Sequence, residues 1–364
     1  NHHMSFLSQI GTVKLNKTET VDKSGPKLSG YADQSQIDAY QQEVIEANIE
    51  SWLIPLGKNT FETVFVPISK EDAIAIKLNY HNTTGDPCEL EYLSMDEDEI
   101  QERITNLKQK VQESIDKVIE DVKRDNREGE STDGVFIKLS SRSAKDSPLY
   151  SNQLKKHYID YLKEKEDPDV NCKCQALLYA ATKLLKVSSA ETAFEFFTKS
   201  ERISQDITVA LESKKFELNV VIRRWVDIDI DMEFRGFYCN GKLNALSQYN
   251  YIVVFDELSS NNEFQQKICN QITEFFYNEV KPVLDEKGFK RYIVDFALTG
   301  KNRDKIYVIE LNPFLTSTDS ALFSWKQERE LLENGPFEFR VRHDKDAQLK
   351  SKIGIEWREI IDTV

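Results

Sequence analysis

The sequence has no apolar run that approaches the roughly 20 residues of a membrane-spanning helix, and its first residues lack the charged-then-apolar order of a signal peptide. It also lacks the glycine-rich signatures of the P-loop and of the dinucleotide-binding Rossmann fold. No Ser-His-Asp or Cys-His set indicates a nucleophilic enzyme. These absences argue against a membrane protein and against the two commonest nucleotide folds, and they predict a cytoplasmic location.

Cysteine and histidine are also sparse. The five cysteines lack C-x-x-C spacing, and Cys172 and Cys174 are separated by a single residue. We therefore expect reduced, mostly structural thiols and no zinc site. The sequence gives no evident chemistry to His81, His157 or His343.

The composition is that of a globular protein with a strong negative charge. The 364 residues are 40% hydrophobic, enough for a sizeable core, and the formal net charge is -14. That charge disfavours a general nucleic-acid binder and favours a protein partner with a basic face. Residues 1–35 are interpreted as an affinity-tag remnant, Asn1-His2-His3, followed from Met4 by a flexible leader.

Hydrophobic periodicity and turn residues divide the remaining chain into helices and strands. Apolar residues at three- and four-residue spacing predict helices, β-branched runs predict strands, and Asn240-Gly241 predicts a tight hairpin. The predicted elements are helices at 37–56, 94–123 and 263–286, a mainly helical region at 150–205 interrupted at 167–169, and strands at 63–68, 135–139, 216–225, 233–239, 242–249, 291–298 and 305–311.

Three oxygen-bearing side chains lie on the last two predicted strands. Glu310 and Asn312 project from one face because they are two residues apart, and a symmetric hairpin would place Asp295 opposite Glu310. Two acids and an amide suit a Mg-ATP site. The alternative is a solvated polar face, but both acids lie within strongly apolar strands, where an unpaired charge is costly.

Lys138 is a second candidate because it lies in an apolar strand before a hydroxyl-rich loop. Its ammonium could reach a phosphate while the loop covers the phosphates; alternatively, it is an edge-strand lysine that extends to solvent. Further basic or aromatic groups could face a triphosphate or an adenine ring, or could be ordinary surface and core residues. These groups are Arg223, Arg224, Trp225, Arg235 and Lys242.

Several motifs resemble the cell division cycle protein 123 family, a divergent ATP-grasp clade. They are E-L-N-V-V-I-R-R-W at 217–225, M-E-F-R-G-F at 232–237, G-K-L-N-A-L-S-Q at 241–248, V-D-F-A-L at 294–298, I-E-L-N-P-F-x-x-x-T-D-S-x-L-F-S-W at 309–325 and K-L-S-S-R-S-A-K-D at 138–146. The resemblance covers most of the chain and is most specific in the C-terminal third.

The resemblance implies roles at matching positions. Phosphate contacts would come from Lys138, Ser140, Ser141 and Ser143, and the adenine-side hinge from Arg223, Arg224, Trp225 and Val226. Arg235 and Gln248 would reach ribose or phosphate, and Asp295, Glu310 and Asn312 would hold Mg2+. This chain departs from the family pattern at Glu310, where Asp is usual, and at Ser140-Ser141, where Asn-Trp is typical.

The resemblance also implies a fold and a function. The expected fold is α+β and ATP-grasp-like: two subdomains with mostly antiparallel sheets flanked by helices, and the nucleotide in the cleft between them. The expected parts are an N-terminal part at 36–215, a C-terminal ATP-grasp subdomain at 216–330 and a tail at 331–364 that packs on the body.

The implied function is ATP-dependent assembly of eukaryotic translation initiation factor 2 by a monomer that binds its γ subunit. One alternative is an ATP-grasp ligase that activates a carboxylate or a nucleic-acid end, for which RNA could be an acceptor. A third hypothesis is a pseudo-enzyme in which ATP serves only as structural support.

Overall fold

The computed structural model describes residues 42–44, 46–126 and 129–364. The predicted leader at 1–35 lies outside these residues. The strands are β1 (Thr63–Pro67), β2 (Glu130–Leu139), β3 (Lys186–Val187), β4 (Asn219–Val226), β5 (Glu233–Cys239), β6 (Lys242–Gln248), β7 (Tyr292–Thr299), β8 (Lys305–Asn312) and β9 (Glu338–Arg340). The helices are α1 (Ile49–Leu56), α2 (Lys70–Thr84), α3 (Glu97–Asp125), α4 (Leu154–Leu162), α5 (Val170–Lys183), α6 (Ala190–Lys199), α7 (Glu201–Glu212), α8 (Asp256–Ser260), α9 (Asn262–Phe275), α10 (Lys281–Glu286), α11 (Trp325–Asn334) and α12 (Ile355–Ile361).

Helix α3 shows how the local sequence determines where a helix begins and ends and which of its faces is buried. Asp96 caps its start by accepting a hydrogen bond from the Glu99 amide at 2.8 Å, and Asn126 ends it in the left-handed conformation. The predicted apolar stripe is buried throughout the helix, which confirms the amphipathic interpretation. The stripe comprises Ile100, Ile104, Leu107, Val111, Ile115, Val118 and Val122.

The chain forms two compact units, each made of separate stretches. Among the described residues, the first contains those up to Phe61, Lys155–Ala180 and Ile228–Val364, and the second contains those within Glu62–Leu154 and Ala181–Asp227. The predicted parts at 36–215 and 216–330 instead follow the chain in order. Contacts between distant stretches define the units, and periodicity carries no information about such contacts.

The second unit contains a four-stranded sheet in the order β1-β4-β2-β3, with antiparallel pairing throughout. Strand β4 is central, and its residues Val220 and Ile222 are buried. The long helix α3 packs against β2 and belongs to the same apolar core as α2, α6 and α7. This sheet carries Lys138 at the end of β2 and the Arg223–Val226 segment at the end of β4.

The first unit contains a five-stranded sheet in the order β8-β7-β5-β6-β9. Only β9 runs parallel to its neighbour, β6. The β5–β6 hairpin turns at Asn240 and Gly241, both with positive φ, as the Asn-Gly pair predicts. Strand β9 and helix α12 belong to this unit, and Trp357 of α12 is fully buried. The C-terminal segment is therefore part of the folded unit.

Most predicted strands are confirmed, with boundary shifts of a few residues. The region 150–205 contains short helices and also the two-residue strand β3, which is too short to show alternation. A π-helical segment at Phe276–Val280 interrupts the long helix predicted at 263–286. Helix α2 was not predicted. Of the helix predicted at 37–56, residues 37–41 and 45 lie outside the described part, and 47–48 form a turn and a bend.

The described fold is α+β, with helices beside two sheets that are mainly antiparallel. This confirms the predicted fold class at that level. Within the described residues, none of the helices combines the length and the apolar content that crossing a membrane requires.

Candidate nucleotide and metal site

The three predicted metal ligands lie together on β7 and β8 of the first unit. Asp295 pairs in register with Glu310, as the symmetric hairpin predicts. The Asn312 amide nitrogen donates to Asp295 Oδ2 at 3.0 Å. A register shift follows the Asp295–Glu310 pair, and Phe296 pairs with Val308. This leaves Ile309 as the extra residue of a β-bulge, a device that re-aims side chains next to functional sites.

Asp295 forms a buried ion pair with Arg235, its neighbour on β5. The Arg235 guanidinium donates from Nε and Nη2 to the two carboxylate oxygens of Asp295, each at 2.8 Å. Asp295 is 2% exposed and Arg235 is 5% exposed. Burial opposes the positive charge, but the adjacent Asp295 carboxylate outweighs it and raises the pKa of Arg235. Arg235 therefore stays charged at any physiological pH.

Residues beyond the predicted set also hold Arg235. Its Nη1 donates to the Asp319 backbone carbonyl at 2.9 Å, and its guanidinium lies 5.0 Å from the centre of the Tyr249 ring. The Asp319 side chain accepts from the Tyr251 hydroxyl at 2.9 Å. Asp319 lies within the T-D-S motif noted in the sequence, but its spacing from β5 gave no sign of this contact.

Gln248, at the end of β6, forms hydrogen bonds with the backbone of neighbouring segments. Its amide nitrogen donates to the Asn250 and Val253 carbonyls at 2.8 and 2.7 Å. Its amide oxygen accepts from the Arg342 backbone amide at 3.0 Å. Gln248 is 1% exposed, so its described contacts join β6 to the loop that follows and to the segment after β9.

Lys138 and its serine loop lie in the second unit. Lys138 is 3% exposed, and its ammonium lies 3.5 Å from the Ser141 carbonyl oxygen. This burial does not fit a lysine that extends from an edge strand into solvent. Ser140 Oγ accepts from the Asn219 amide at 2.9 Å and so ties the loop to β4. Ser143 is also buried.

Asp206 on α7 holds this loop, although it is not among the predicted site residues. Its carboxylate accepts a hydrogen bond from the Ser141 hydroxyl and pairs with Arg142 Nε at 3.1 Å. Because 65 residues separate Ser141 from Asp206, no sequence motif links them. The loop is thus held by α7 as well as by its own strand.

The Arg223–Val226 segment occupies the end of β4. Arg224 is 6% exposed in its side chain and pairs with Glu62, Asp125 and Glu130 at 2.8–2.9 Å. Burial opposes its charge, but the three carboxylates outweigh this effect and raise the pKa of Arg224. Arg223 Nε donates to Thr63 Oγ1 at 3.1 Å.

The remaining residues of the predicted hinge are less buried. Trp225 Nε1 donates to Asp227 Oδ1 at 2.9 Å, and the half-buried Val226 pairs with Glu130 on β2. The assignment of all four hinge residues to adenine contacts stays a prediction.

The donor set on β7 and β8 fits Mg2+, a hard ion that takes oxygen ligands and typically uses one or two carboxylates with phosphate oxygens and water. Asp295 accepts three hydrogen bonds in the described structure, and an ionised carboxylate offers about four lone-pair sites. An ion here would therefore share Asp295 with Arg235. Asn312 would bind it through the oxygen of the amide whose nitrogen now contacts Asp295.

The fold and the paired acids define an α+β protein with a candidate site for a metal ion bound by oxygen ligands. The sequence matches the D123 family over residues 62–356, which is most of the chain, so the protein belongs to that family. The resemblance to the cell division cycle protein 123 family is thereby confirmed.

Two relatives show the similarity at different coverage. The chain is 24% identical over 344 residues to the translation initiation factor eIF2 assembly protein of Candida albicans, covering 88% of this chain and 86% of that protein. It is 29% identical over 161 residues to the protein of the same name in Xenopus laevis, covering 42% of this chain and 45% of the relative. The match therefore spans less than half the length of the Xenopus protein.

Two solved structures share the fold. Cdc123 from Schizosaccharomyces pombe aligns with a TM-score of 0.53 at 17% identity, covering 83% of this chain and 97% of that one. A C-terminally truncated form of the same protein aligns with a TM-score of 0.55 at 18% identity, covering 83% of this chain and 98% of that chain. At this level of identity the similarity concerns the fold alone.

Proposed function

We propose that this chain is an assembly factor for the translation initiation factor eIF2 and that it binds Mg-ATP. The observation that carries the first statement is similarity to the Candida albicans eIF2 assembly protein along 88% of the chain. Membership of the D123 family over residues 62–356 supports it. The proposed site of action is the cytoplasm, and the proposed active form is a monomer.

The proposed partner is the γ subunit of eIF2. The net charge of -14 gives the protein a negative field that would speed its encounter with a basic surface. Part of this charge lies in the first turn of α3, at Glu97, Asp98 and Glu99. An electrostatic contribution predicts an association rate that falls as salt is added.

A binding assay with purified subunits tests the partner. We expect the chain to retain the γ subunit of eIF2, with faster association at low salt because the two charges attract. The Candida albicans relative, assayed in parallel, shows whether the γ subunit is competent to bind. If that relative binds γ and this chain does not, the proposed partner is wrong.

The proposed nucleotide site uses residues whose contacts are described above. Asp295, Glu310 and Asn312 would hold Mg2+, and Arg235 would contribute a fixed positive charge next to Asp295. Bound Mg2+ would neutralise charge on the nucleotide phosphates. Lys138 and its serine loop would contact phosphates. A buried ammonium suits this role because its attraction for an anion is weakly screened.

Thermal unfolding with and without Mg-ATP tests this site. A ligand at about 100 times its Kd adds roughly 2.7 kcal/mol to stability. This corresponds to a rise in Tm of about 5–10 °C for a unit of ordinary size. We expect this rise in the wild type and its loss in Lys138→Met and Glu310→Gln, which remove charge at nearly constant volume.

Lys186→Met is the matched control, because Lys186 lies on β3, next to β2, and pairs with the exposed Asp133 at 2.5 Å. It should keep the wild-type shift. If Mg-ATP raised the Tm equally in all three variants, the assignment of Lys138 and Glu310 to the nucleotide site would be wrong. Release of ADP or AMP only when an acceptor is added would instead support the ligase alternative.

A further inference from the structure

Three side chains of different chemistry meet in the second unit, and none of them belongs to the set assigned to the nucleotide. His81, Cys88 and Glu89 each place one potential ligand atom within 4.8 Å of the others. Nitrogen, sulfur and oxygen donors in one cluster suit a borderline-soft ion such as Zn2+ and do not suit Mg2+. The spacing of cysteine and histidine in the sequence predicted no zinc site and gave His81 no evident chemistry.

The end of α2 brings these residues together. His81 lies in the last turn of that helix, and Gly85 follows it with a positive φ of 75°. The Gly85 amide donates to the His81 carbonyl at 2.9 Å, which closes the helix and reverses the chain. Cys88 and Glu89 therefore return towards the His81 side chain.

The hydrogen bonding of His81 fixes which nitrogen can bind a metal. Its Nδ1 lies 2.8 Å from the Asp86 carbonyl oxygen. A carbonyl only accepts, so Nδ1 carries the proton, and a neutral ring then has its lone pair on Nε2. A metal-binding histidine commonly has its second nitrogen held by a carbonyl in this way.

Glu89 is held in a comparable manner. Its Oε1 accepts from the fully buried ammonium of Lys77 at 2.7 Å and from the Thr208 hydroxyl at 2.6 Å. Its Oε2 lies 3.6 Å from His81 Nε2. One carboxylate oxygen is thus occupied by α2 and α7, and the other faces the histidine.

The approach of Glu89 Oε2 to within 3.6 Å of His81 Nε2 favours a positive charge between the two atoms. A carboxylate oxygen and a neutral imidazole lone pair are both acceptors and repel each other unless a proton or a metal ion lies between them. The Ser204 hydroxyl, 3.4 Å from Nε2, is a distant donor for it and also accepts from Lys77 at 2.9 Å. The Cys88 thiol donates to the Leu90 carbonyl at 3.7 Å, a contact that it would give up as a metal-bound thiolate.

We propose that His81 Nε2, the Cys88 thiolate and Glu89 Oε2 form a zinc site with a fourth, solvent-accessible position. Tetrahedral Zn2+ with bonds of about 2.0–2.3 Å places its ligands roughly 3.3–3.8 Å apart. The His81–Glu89 separation of 3.6 Å lies in this range, and small side-chain rotations would close the remaining separations. Glu89 is 49% exposed in its side chain, which leaves water access. This proposal does not depend on the proposed function.

Zinc titration of the whole chain tests the site, with bound metal measured by elemental analysis and affinity by competition with a chelating dye. His2 and His3 are replaced by serine in every protein so that they contribute no binding. We expect one Zn2+ per chain, and an affinity lowered about 100-fold or more in Cys88→Ser and in His81→Gln. Cys269→Ser is the matched control, since Cys269 is also partly buried, and it should bind as the parent does.

Two further measurements distinguish a specific zinc site from adventitious binding. Co2+ should give a thiolate-to-metal absorption band in the parent that is lost in Cys88→Ser, and excess Mg2+ should not displace Zn2+. Equal Tm values of parent and variants in EDTA would show that all are folded. Parent-like zinc affinity in both Cys88→Ser and His81→Gln, or no stoichiometric binding by the folded parent, would overturn the proposal.

Discussion

Arg235→Met should lower the free energy of unfolding by roughly 3–5 kcal/mol, because it leaves the Asp295 carboxylate buried without its counter-charge. Asp295 is 2% exposed and takes two of its three hydrogen bonds from Arg235. The methionine fills much of the same volume, so the loss reports the charge more than the packing. Urea unfolding, monitored by tryptophan fluorescence, measures the change.

An exposed ion pair provides the control. Lys215 and Glu217 form a pair with side chains 81% and 61% exposed, and Lys215→Ala should cost no more than about 0.5 kcal/mol. The double variant Arg235→Met with Asp295→Leu should regain much of the lost stability, since it removes both charges. A cost below 1 kcal/mol in the single variant would mean that Asp295 is not held as the structure shows.

Trp357→Ala should lower the free energy of unfolding by about 3–5 kcal/mol, the usual cost of removing a buried tryptophan. Trp357 is fully buried in α12, near the C-terminal end of the described chain. Its burial makes the segment after β9 an integral part of the first unit. The measurement is again the urea midpoint at unchanged slope.

Ile355 on the same helix is the matched control. It is 61% exposed, so Ile355→Ala should change stability by no more than about 0.5 kcal/mol. If both variants cost equally little, the C-terminal helix does not contribute to the stability of the first unit.

The Arg235–Asp295 pair also affects how the nucleotide proposal is tested. Removing Asp295 would leave a buried guanidinium without its partner, so a lost ATP response could reflect altered folding. Glu310 is the better site for substitution because it is only half-buried. Glu310→Gln keeps the size of the side chain and removes the charge that a metal ion would require.

Elements with local sequence signals were predictable from neighbouring residues alone. Helix α3 followed from an acidic cap and an unbroken apolar stripe, and the β5–β6 turn followed from Asn240-Gly241. The alignment of Asp295 with Glu310 also followed, because a hairpin about a short loop allows few registers. Each inference needed only residues that are close along the chain.

Ion pairs and hydrogen bonds between residues far apart in the sequence depend on the tertiary fold. The Arg235–Asp295 pair joins residues 60 apart, and the Ser141–Asp206 contact joins residues 65 apart. Periodicity reports which face of an element is buried, but it does not report which element covers that face. His81 and Cys88 are only seven positions apart in the sequence. The neighbouring Glu89 accepts from Lys77 of α2 and from Thr208 of α7 because these two helices pack together, and no one-dimensional pattern contains that packing.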